Sequence, residues 1–354
     1  MKIVWLLLKI VLVLVVLLVA SGLILVRALN YFPAEKMPAE SACNGVAPAS
    51  LKPGQKIKIL SWNIQYGGSR KYHFFYDGGK EVMAEKSVVE ETVKGIGELV
   101  EKLQPDIVLW QEIDRNSQRS AYIDQLQKLW NPKRFSCYAT APYFRSVYVP
   151  TPGHQHMGRV DMHLTIFSRF KLQDPTRFAL AQMKESFIHR AFGLKRAILR
   201  AEIPIEGQKQ PFVLLNTHFD AFSFGDGTLD KQVARMAELI READKQGSPW
   251  IAAGDFNLLP PNDDPKRLGV VEAKYYNPPD TNPLTKMFSE FRSILSVEEY
   301  NKNRDKYNTY IRFGAKQTDR WIDHVFLQKS LKLERYEVVQ NLLSDHLPLV
   351  FEIT

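Results

Sequence analysis

An α+β domain of packed sheets flanked by helices, preceded by one N-terminal transmembrane helix, is the architecture this sequence predicts. Three observations carry that reading. The run from Ile10 to Val26 contains no charge. Beyond it, two strand-rich halves are separated by segments of helical period, a pattern that suits packed sheets with helices outside. Short polar residues also close one apolar strand after another, and these recur through the whole domain.

The N-terminal run is extended by Met1 to Leu8 around Lys2. About twenty apolar residues cross a bilayer core as a helix. A cleaved secretory signal is the competing reading, but its apolar core is usually shorter, and Arg-Ala-Leu-Asn-Tyr-Phe after Val26 offers no clean small-x-small cleavage site. An uncleaved anchor is preferred. Lys2 and Lys9 precede the span, while Arg27 and Lys36 after it are offset by Glu35 and Glu40. The positive-inside bias then sets the N-terminus in the cytoplasm and the rest of the chain outside it. Tyr31 to Pro53 is rich in Pro, Ala, Ser and Gly without a sustained period and reads as a tether, with a reach of roughly 30 Å as flexible chain. The expected division is an anchor over 1–29, a linker over 30–54 and one domain over 55–354.

Composition bounds the partners. A chain of 354 residues can bury a sizeable core, and its net charge of +8 with pI near 9.2 suits anionic partners without choosing between nucleic acid, phosphorylated small molecules and an anionic membrane. The two cysteines, Cys43 and Cys137, exclude a disulfide framework and a clustered zinc site. They read as two structurally minor thiols, since a bridge between them requires an oxidising compartment.

Within the domain, Lys56 to Asn63 alternates polar with apolar residues and reads as a strand. Ser87 to Leu103 has helical spacing stopped by Pro105, and Asp106 to Glu112 is a short buried strand. A second helical segment falls near Ser120 to Trp130. Strands follow near Val160 to Phe167, Lys195 to Ile203 and Phe212 to Thr217, then a helix over Thr228 to Lys245. Pro249 to Ala253 leads into Gly254-Asp255-Phe256-Asn257, where spacing of two sets Asp255 and Asn257 on one face of a strand end and turns Phe256 into the packing layer. Trp321 to Gln328, Leu333 to Val339 and Leu347 to Ile353 complete the strands.

The strand ends carry the chemistry. Asn63, Glu112, Asn216-Thr217-His218, Asp255 with Asn257, Asp323-His324 and Asp345-His346 each terminate or interrupt an apolar strand. A hard divalent ion needs oxygen ligands delivered from several separate elements, and this set can supply them. The chain resembles the endonuclease/exonuclease/phosphatase, or DNase I-like, superfamily from about Lys56 onward. The likeness rests on Ile59-Leu60-Ser61-Trp62-Asn63, Asp106-Ile107-Val108-Leu109-Trp110-Gln111-Glu112, Asn216-Thr217-His218, Gly254-Asp255-Phe256-Asn257, Ile322-Asp323-His324 and Ser344-Asp345-His346-Leu347-Pro348, in the family's order.

The resemblance implies a four-layer α/β/β/α sandwich of two packed mixed sheets, and an Mg²⁺- or Mn²⁺-dependent phosphoric ester hydrolase working by in-line attack of water. It implies Glu112 as principal metal ligand with Asn63 beside it, and Asp345 at a second metal position. Asp255 would orient or deprotonate the water with support from Asn257. His346, paired with Asp323, would sit over the phosphate, and His218 would contact a non-bridging or leaving oxygen. Some members carry an acidic residue where this chain has Gln65, and that missing charge implies a single tightly held ion.

Lys71 to Gly79 sets four aromatics after the first strand, where they stack a base, cap a sugar, dip into a membrane interface or pack the loop onto the domain. Arg119, Arg159 and Arg196 are candidate phosphate-binding residues, with Arg115, Arg145 and Lys195 beside them, and Arg159 also suits a structural pair with Asp161. The expected function is a membrane-tethered, monomeric phosphoesterase acting on a lipid headgroup, nucleic acid or small phosphate ester. The alternatives are a membrane-anchored nuclease and a catalytically silent phosphate-binding module of the same fold.

Overall fold

The computed structural model describes residues 1–45, 47–221 and 225–354. In chain order the elements are α1 (Lys2–Leu29), β1 (Lys36–Pro38), β2 (Glu40–Cys43), β3 (Ile57–Asn63), α2 (Lys86–Leu103), β4 (Ile107–Asp114), α3 (Gln125–Leu129), β5 (Cys137–Val149), β6 (Gly158–Ser168) and β7 (Gln173–Ala179). They continue with α4 (Phe187–Phe192), β8 (Ala197–Ile203), β9 (Phe212–His218), α5 (Thr228–Gln246) and β10 (Trp250–Asp255). After short helical turns come β11 (Arg292–Ser293), β12 (Asp323–Leu327), β13 (Leu333–Val338) and β14 (Leu349–Ile353).

The strands form two seven-stranded sheets, ordered β13-β14-β3-β4-β6-β5-β2 and β1-β7-β8-β9-β10-β12-β11. Each sheet is mixed, with one parallel pair at its middle: β3 with β4 in the first, β9 with β10 in the second. Apolar residues such as Ile59, Leu109, Ile166, Leu199, Leu214 and Val325 fill the space between the sheets. The alternate residues of the same strands face outward onto helices. Leu60, Trp62 and Val108 pack on Val89, Val93 and Ile96 of α2, while Val213, Leu215 and Ala252 pack on Met236, Leu239 and Ile240 of α5. Period-two strands buried on both faces thus give the four-layer sandwich.

Three local expectations change. The segment read as one helix from Ser120 to Trp130 is helical only over Gln125–Leu129, because Ala121 and Tyr122 take positive φ (55° and 59°) and break it. The strand β5, at the edge of the central four strands, is bulged at two places against β6 and so hides its period of two. Residues 30–54, read as a tether, carry regular structure along the sandwich. Lys36 to Pro38 pair antiparallel with β7, Glu40 to Cys43 pair with β5, and bridges join Asn30 to Ser146, Ala49 to Phe170 and Leu51 to Ile205.

Cys43 and Cys137 face each other in that register and are joined as a disulfide, correcting their reading as separate thiols. Pairing strands brought the two residues together across 94 positions of sequence, which no spacing rule detects. The segment between α1 and β3 is therefore strapped over the edges of both sheets. Helix α1 is long and apolar enough to cross a membrane, a test that a signal sequence also passes, and none of its residues is buried against the domain.

Candidate active site

The parallel pairs β3–β4 and β9–β10 deliver their C-terminal ends to one edge of the sandwich, and each end carries a polar residue. Asn63 closes β3, His218 closes β9 and Asp255 closes β10, while β12 begins with Asp323 directly opposite Asp255 in antiparallel register. Glu112 differs, since β4 runs on to Asp114. Its φ of 61° marks a bulge where the pairing of β4 with β6 shifts between Trp110 and Ile113. Such a bulge re-aims one side chain without ending the strand.

Gly254 sets the spacing between β9 and β10. Its φ is 143°, and a Cβ there would lie 2.0 Å from the carbonyl oxygen of Thr217, so only glycine allows the two strands their approach. Asn257 corrects the expectation that it shares a strand face with Asp255. The strand ends at Asp255, and Asn257 turns at φ 50°, its backbone N–H donating to Asp255 Oδ1 at 2.9 Å and its Nδ2 to the Phe219 carbonyl at 3.0 Å. Phe256 is buried beneath α5, as alternation requires.

Asp255 Oδ2 is the point on which the site converges. Asn63 Nδ2 donates to it at 3.0 Å, and His218 Nε2 and His346 Nε2 stand 3.2 Å and 3.5 Å away. The other nitrogen of His346 pairs with Asp323 Oδ2 at 2.8 Å. The loop bearing His346 is fixed by Ser344 Oγ donating to the Asn63 carbonyl and by Trp62 Nε1 donating to the His346 carbonyl. His324, next to Asp323, plays a structural part: buried against Trp321 and Phe256, it contacts the Leu258 carbonyl at 2.8 Å.

The two histidines are held in opposite charge states. Burial pulls the His346 pKa down, but the carboxylates of Asp323 and Asp255 outweigh it and hold the ring protonated. His218 is pushed well below the usual histidine range by burial, then by the charges of Arg196 and His346. A neutral imidazole needs its tautomer fixed, and Tyr143 does this. The buried Tyr143 hydroxyl stands 3.0 Å from His218 Nδ1, while Nε2 lies 3.2 Å from the acceptor Asp255 Oδ2, so the proton sits on Nε2, facing Asp255, and the hydroxyl donates to Nδ1. Burial, opposed by His346 and reinforced by Asp323, raises the Asp255 carboxyl to about 7.

Two groups of acids compete as a metal centre. Asp255, Asp323 and His346 lie with their ligand atoms within 4.8 Å of one another, but the protonated His346 already supplies a cation to both carboxylates. Glu112 and Asp345 form no salt bridge to Lys, Arg or a protonated His among the described residues, and the charge of His346 only partly offsets the rise of Asp345. Asp345 is raised to about 7 by burial, with His346 opposing and Glu112 adding to the rise, and the nearest histidine to Glu112, His218 at 3.7 Å, is neutral. Beside them Gln65 donates through Nε2 to the Tyr76 hydroxyl at 2.9 Å, while its buried Oε1 has no partner among the described residues. Two mutually repelling carboxylates and an unpaired amide oxygen fit a hard divalent ion, and Asn63 Nδ2 donates to Glu112 Oε1 at 3.2 Å beside them.

The arginines are mostly committed elsewhere. Arg119 is buried, forks onto Asp114 with two contacts of 3.0 Å and lies 3.8 Å over the Tyr66 ring, so its charge is neutralised within the fold. Arg159 donates to the Asn116 carbonyl and lies 3.9 Å from Asp161, which is held more closely by Arg145 at 2.7 Å. Arg196 is buried against Asp220 at 3.1 Å near the Tyr143 ring, with Nη1 unpartnered among the described residues. The aromatic loop packs inward. Phe74 is buried, Tyr76 and Tyr66 join hydroxyls at 3.0 Å, and His73 stacks on Phe313 at 4.4 Å.

Tyr143 and Gln111 escaped sequence reasoning. Gln111 Nε2 donates to Asn216 Oδ1 at 2.7 Å, a buried amide pair that locks the two sheets under the site, and Asn216 Nδ2 returns to the Trp110 carbonyl at 2.9 Å. The polar Gln-Glu pair ending an apolar strand was the only signal for Gln111, and nothing marked Tyr143.

Comparison with known proteins follows from this geometry. No curated protein sequence matches the chain. The human Nocturnin catalytic domain, solved with a bound sulfate anion, superposes with a TM-score of 0.53 at 17% identity, covering 90% of this chain and 98% of that one. An endonuclease/exonuclease/phosphatase from Beutenbergia cavernae gives 0.54 at 17% identity, with 84% and 71% covered. One from Bacteroides vulgatus gives 0.53 at 16%, with 85% and 99% covered. These likenesses concern the fold. A family model matches residues 60–346, which include every strand-end residue named above, and the chain belongs to the endonuclease/exonuclease/phosphatase family.

Proposed function

We propose that this protein is a membrane-tethered phosphoric ester hydrolase that uses one Mg²⁺ or Mn²⁺ ion and a water molecule attacking phosphorus in line. The observation that carries the reading is the convergence of Asn63, His218 and His346 on Asp255 beside the acid pair Glu112 and Asp345, where burial and mutual repulsion outweigh the charge of His346 and raise Asp345 to about 7. Glu112, Asp345 and the free amide oxygen of Gln65 would hold the ion, with Asn63 alongside. When bound, the ion supplies Lewis-acid charge to the phosphoryl oxygens.

The chain's own groups supply the rest. Asp255, with a carboxyl raised toward neutrality, accepts a proton from the attacking water, and Asn63 and the backbone N–H of Asn257 keep its two oxygens oriented. His346, kept protonated by Asp323, offers Nε2–H to the charge that develops on phosphate. His218 is a neutral hydrogen-bond donor from the other side, its tautomer set by Tyr143. Asn257 acts through its backbone, which gives it a positioning role.

Arg196, whose Nη1 is free, remains a candidate to face the substrate, whereas Arg119 serves the fold. The disulfide is consistent with an extracytoplasmic domain and N-terminus inside. The test is hydrolysis of a panel of phosphodiesters and phosphomonoesters with and without Mg²⁺, beside Asp255→Asn. Failure on every ester would favour the silent phosphate-binding reading.

A further inference from the structure

We infer that the catalytic edge of the sandwich is held against the bilayer by α4, so that the phosphoester it reaches is one carried on a lipid headgroup. This inference rests on α1 lying in a membrane. It starts from where α1 meets the domain. Asn30, at the end of the helix, bridges to Ser146 of β5 and accepts the Ser146 hydroxyl at 2.7 Å. Ser146 is three residues beyond Tyr143, which contacts His218. At about 3.3 Å of rise per residue, the end of α1 is roughly 10 Å along one strand from the site. Ser146 also lies farther out than Tyr143 along β5, since the strand runs from Cys137 past the end of β4, toward the edge that carries the catalytic residues. The helix therefore leaves from the catalytic edge.

The connection is stiff. The guanidinium groups of Arg145 and Arg177 each lie 5.6 Å from the Tyr31 ring, and Phe32 stacks on Phe187 at 6.3 Å with Arg27 4.3 Å from its ring centre. Strands β1 and β2 and the disulfide then fasten the chain along both sheets. The domain cannot swing freely about α1.

Helix α4 precedes β8, whose first residues pair with the end of β9, so it too sits on the catalytic edge. Lys195 Nζ donates to the carbonyls of Gly193 and Ala191 at 2.9 and 3.3 Å and fixes the end of this helix. Its outer face shows Phe187 and Ile188, 44% and 60% exposed, with Val147 and Tyr148 also exposed on β5. Phe187 lines one apolar groove with Leu23 and Ile24, about a turn and a half inside the end of the span. An aromatic beside Leu23 is level with the acyl boundary if α1 spans. The interfacial layer beyond the hydrocarbon core is only about 5–8 Å deep per leaflet. The catalytic groups, roughly 10 Å beyond the end of α1 along β5, therefore stand just outside that layer, and exposed Lys184 precedes the helix and exposed Arg190 lies on it, with Glu185 as the opposing charge.

The test uses the full chain in vesicles of phosphatidylcholine with a minority of phosphatidylglycerol. No free cysteine exists among the described residues, so Leu12→Cys, Ile188→Cys and Glu206→Cys can each carry an environment-sensitive dye. Spin-labelled lipids are expected to quench Leu12 deeply and Ile188 at shallow depth, and to leave Glu206, at the opposite edge, bright. Leu12 quenched with Ile188 no more quenched than Glu206 overturns the docked face while the anchor stands. Leu12 unquenched overturns the membrane reading beneath it. In activity, Phe187→Glu with Ile188→Glu is expected to slow hydrolysis of sphingomyelin or phosphoinositide in the vesicles at least about tenfold, with a soluble aryl phosphodiester changed less than about twofold. Turnover of soluble esters or nucleic acid with none of any vesicle-borne headgroup overturns the substrate assignment.

Discussion

Replacing Tyr143 with phenylalanine removes one oxygen atom and keeps the buried ring, and it isolates the role of the hydroxyl that contacts His218. The hydroxyl is buried and donates to His218 Nδ1 at 3.0 Å, the ring's other nitrogen facing Asp255. In Tyr143→Phe His218 Nδ1 loses its partner in a place water does not reach, since Tyr143 is 0% and His218 4% exposed. Leaving a buried donor or acceptor unpaired costs about 1–3 kcal/mol. His218 is then free to carry its proton on Nδ1, which presents a bare Nε2 to Asp255 Oδ2 at 3.2 Å, an acceptor against an acceptor. If that cost falls on the transition state, kcat/KM for an aryl phosphodiester drops roughly 5- to 150-fold. The assay is steady-state hydrolysis at saturating Mg²⁺, with urea unfolding to measure any general loss of stability and imidazole ¹⁵N shifts to report the tautomer. A variant with unchanged kcat/KM and an unchanged His218 tautomer would falsify the reasoning.

Other outcomes follow from the same geometry. Because burial and Glu112 raise Asp345 to about 7, the ion must displace a proton below that pH, and Mn²⁺ affinity measured calorimetrically should fall toward tenfold per pH unit on the acid side; affinity flat from pH 5 to about 8 would remove Asp345 from the centre. The rate should rise with pH through about 7 as Asp255 loses its proton, while His346, held protonated by its carboxylates, places any alkaline fall well above that; a pH profile of kcat/KM with no acid limb contradicts this. Gly254→Ala forces β9 and β10 apart at the Thr217 carbonyl and should cost at least about 3 kcal/mol in urea unfolding, beyond the ordinary range for a strained backbone; a loss below about 1 kcal/mol would mean that the strands part easily.

The fold was legible because strands buried on both faces write themselves as apolar runs, and the polar residues closing those runs marked the candidate site for the same reason. Asn63, Glu112, His218, Asp255, Asp323 and His346 were readable one by one, and they meet because two parallel pairs end at one edge. What escaped depends on contacts between distant segments. Tyr143 lies in the bulged strand β5, and its hydroxyl gains meaning only across from His218. Residues 36–43 form strands because sheet edges were open to them, not because of their own composition. Asn257 kept its place beside Asp255 but by a positive-φ turn, which Asn tolerates and a period-two reading cannot foresee.

The most direct measurement of the central claim is Mg²⁺-dependent release of product from a phosphodiester by the full-length protein, set against Asp255→Asn and Glu112→Gln. Turnover that vanishes on chelation, falls by about 10³-fold or more in Asp255→Asn and demands far higher Mg²⁺ in Glu112→Gln is the expected result. Turnover that persists in chelator, or survives in Asp255→Asn at the rate of the unmodified protein, contradicts it.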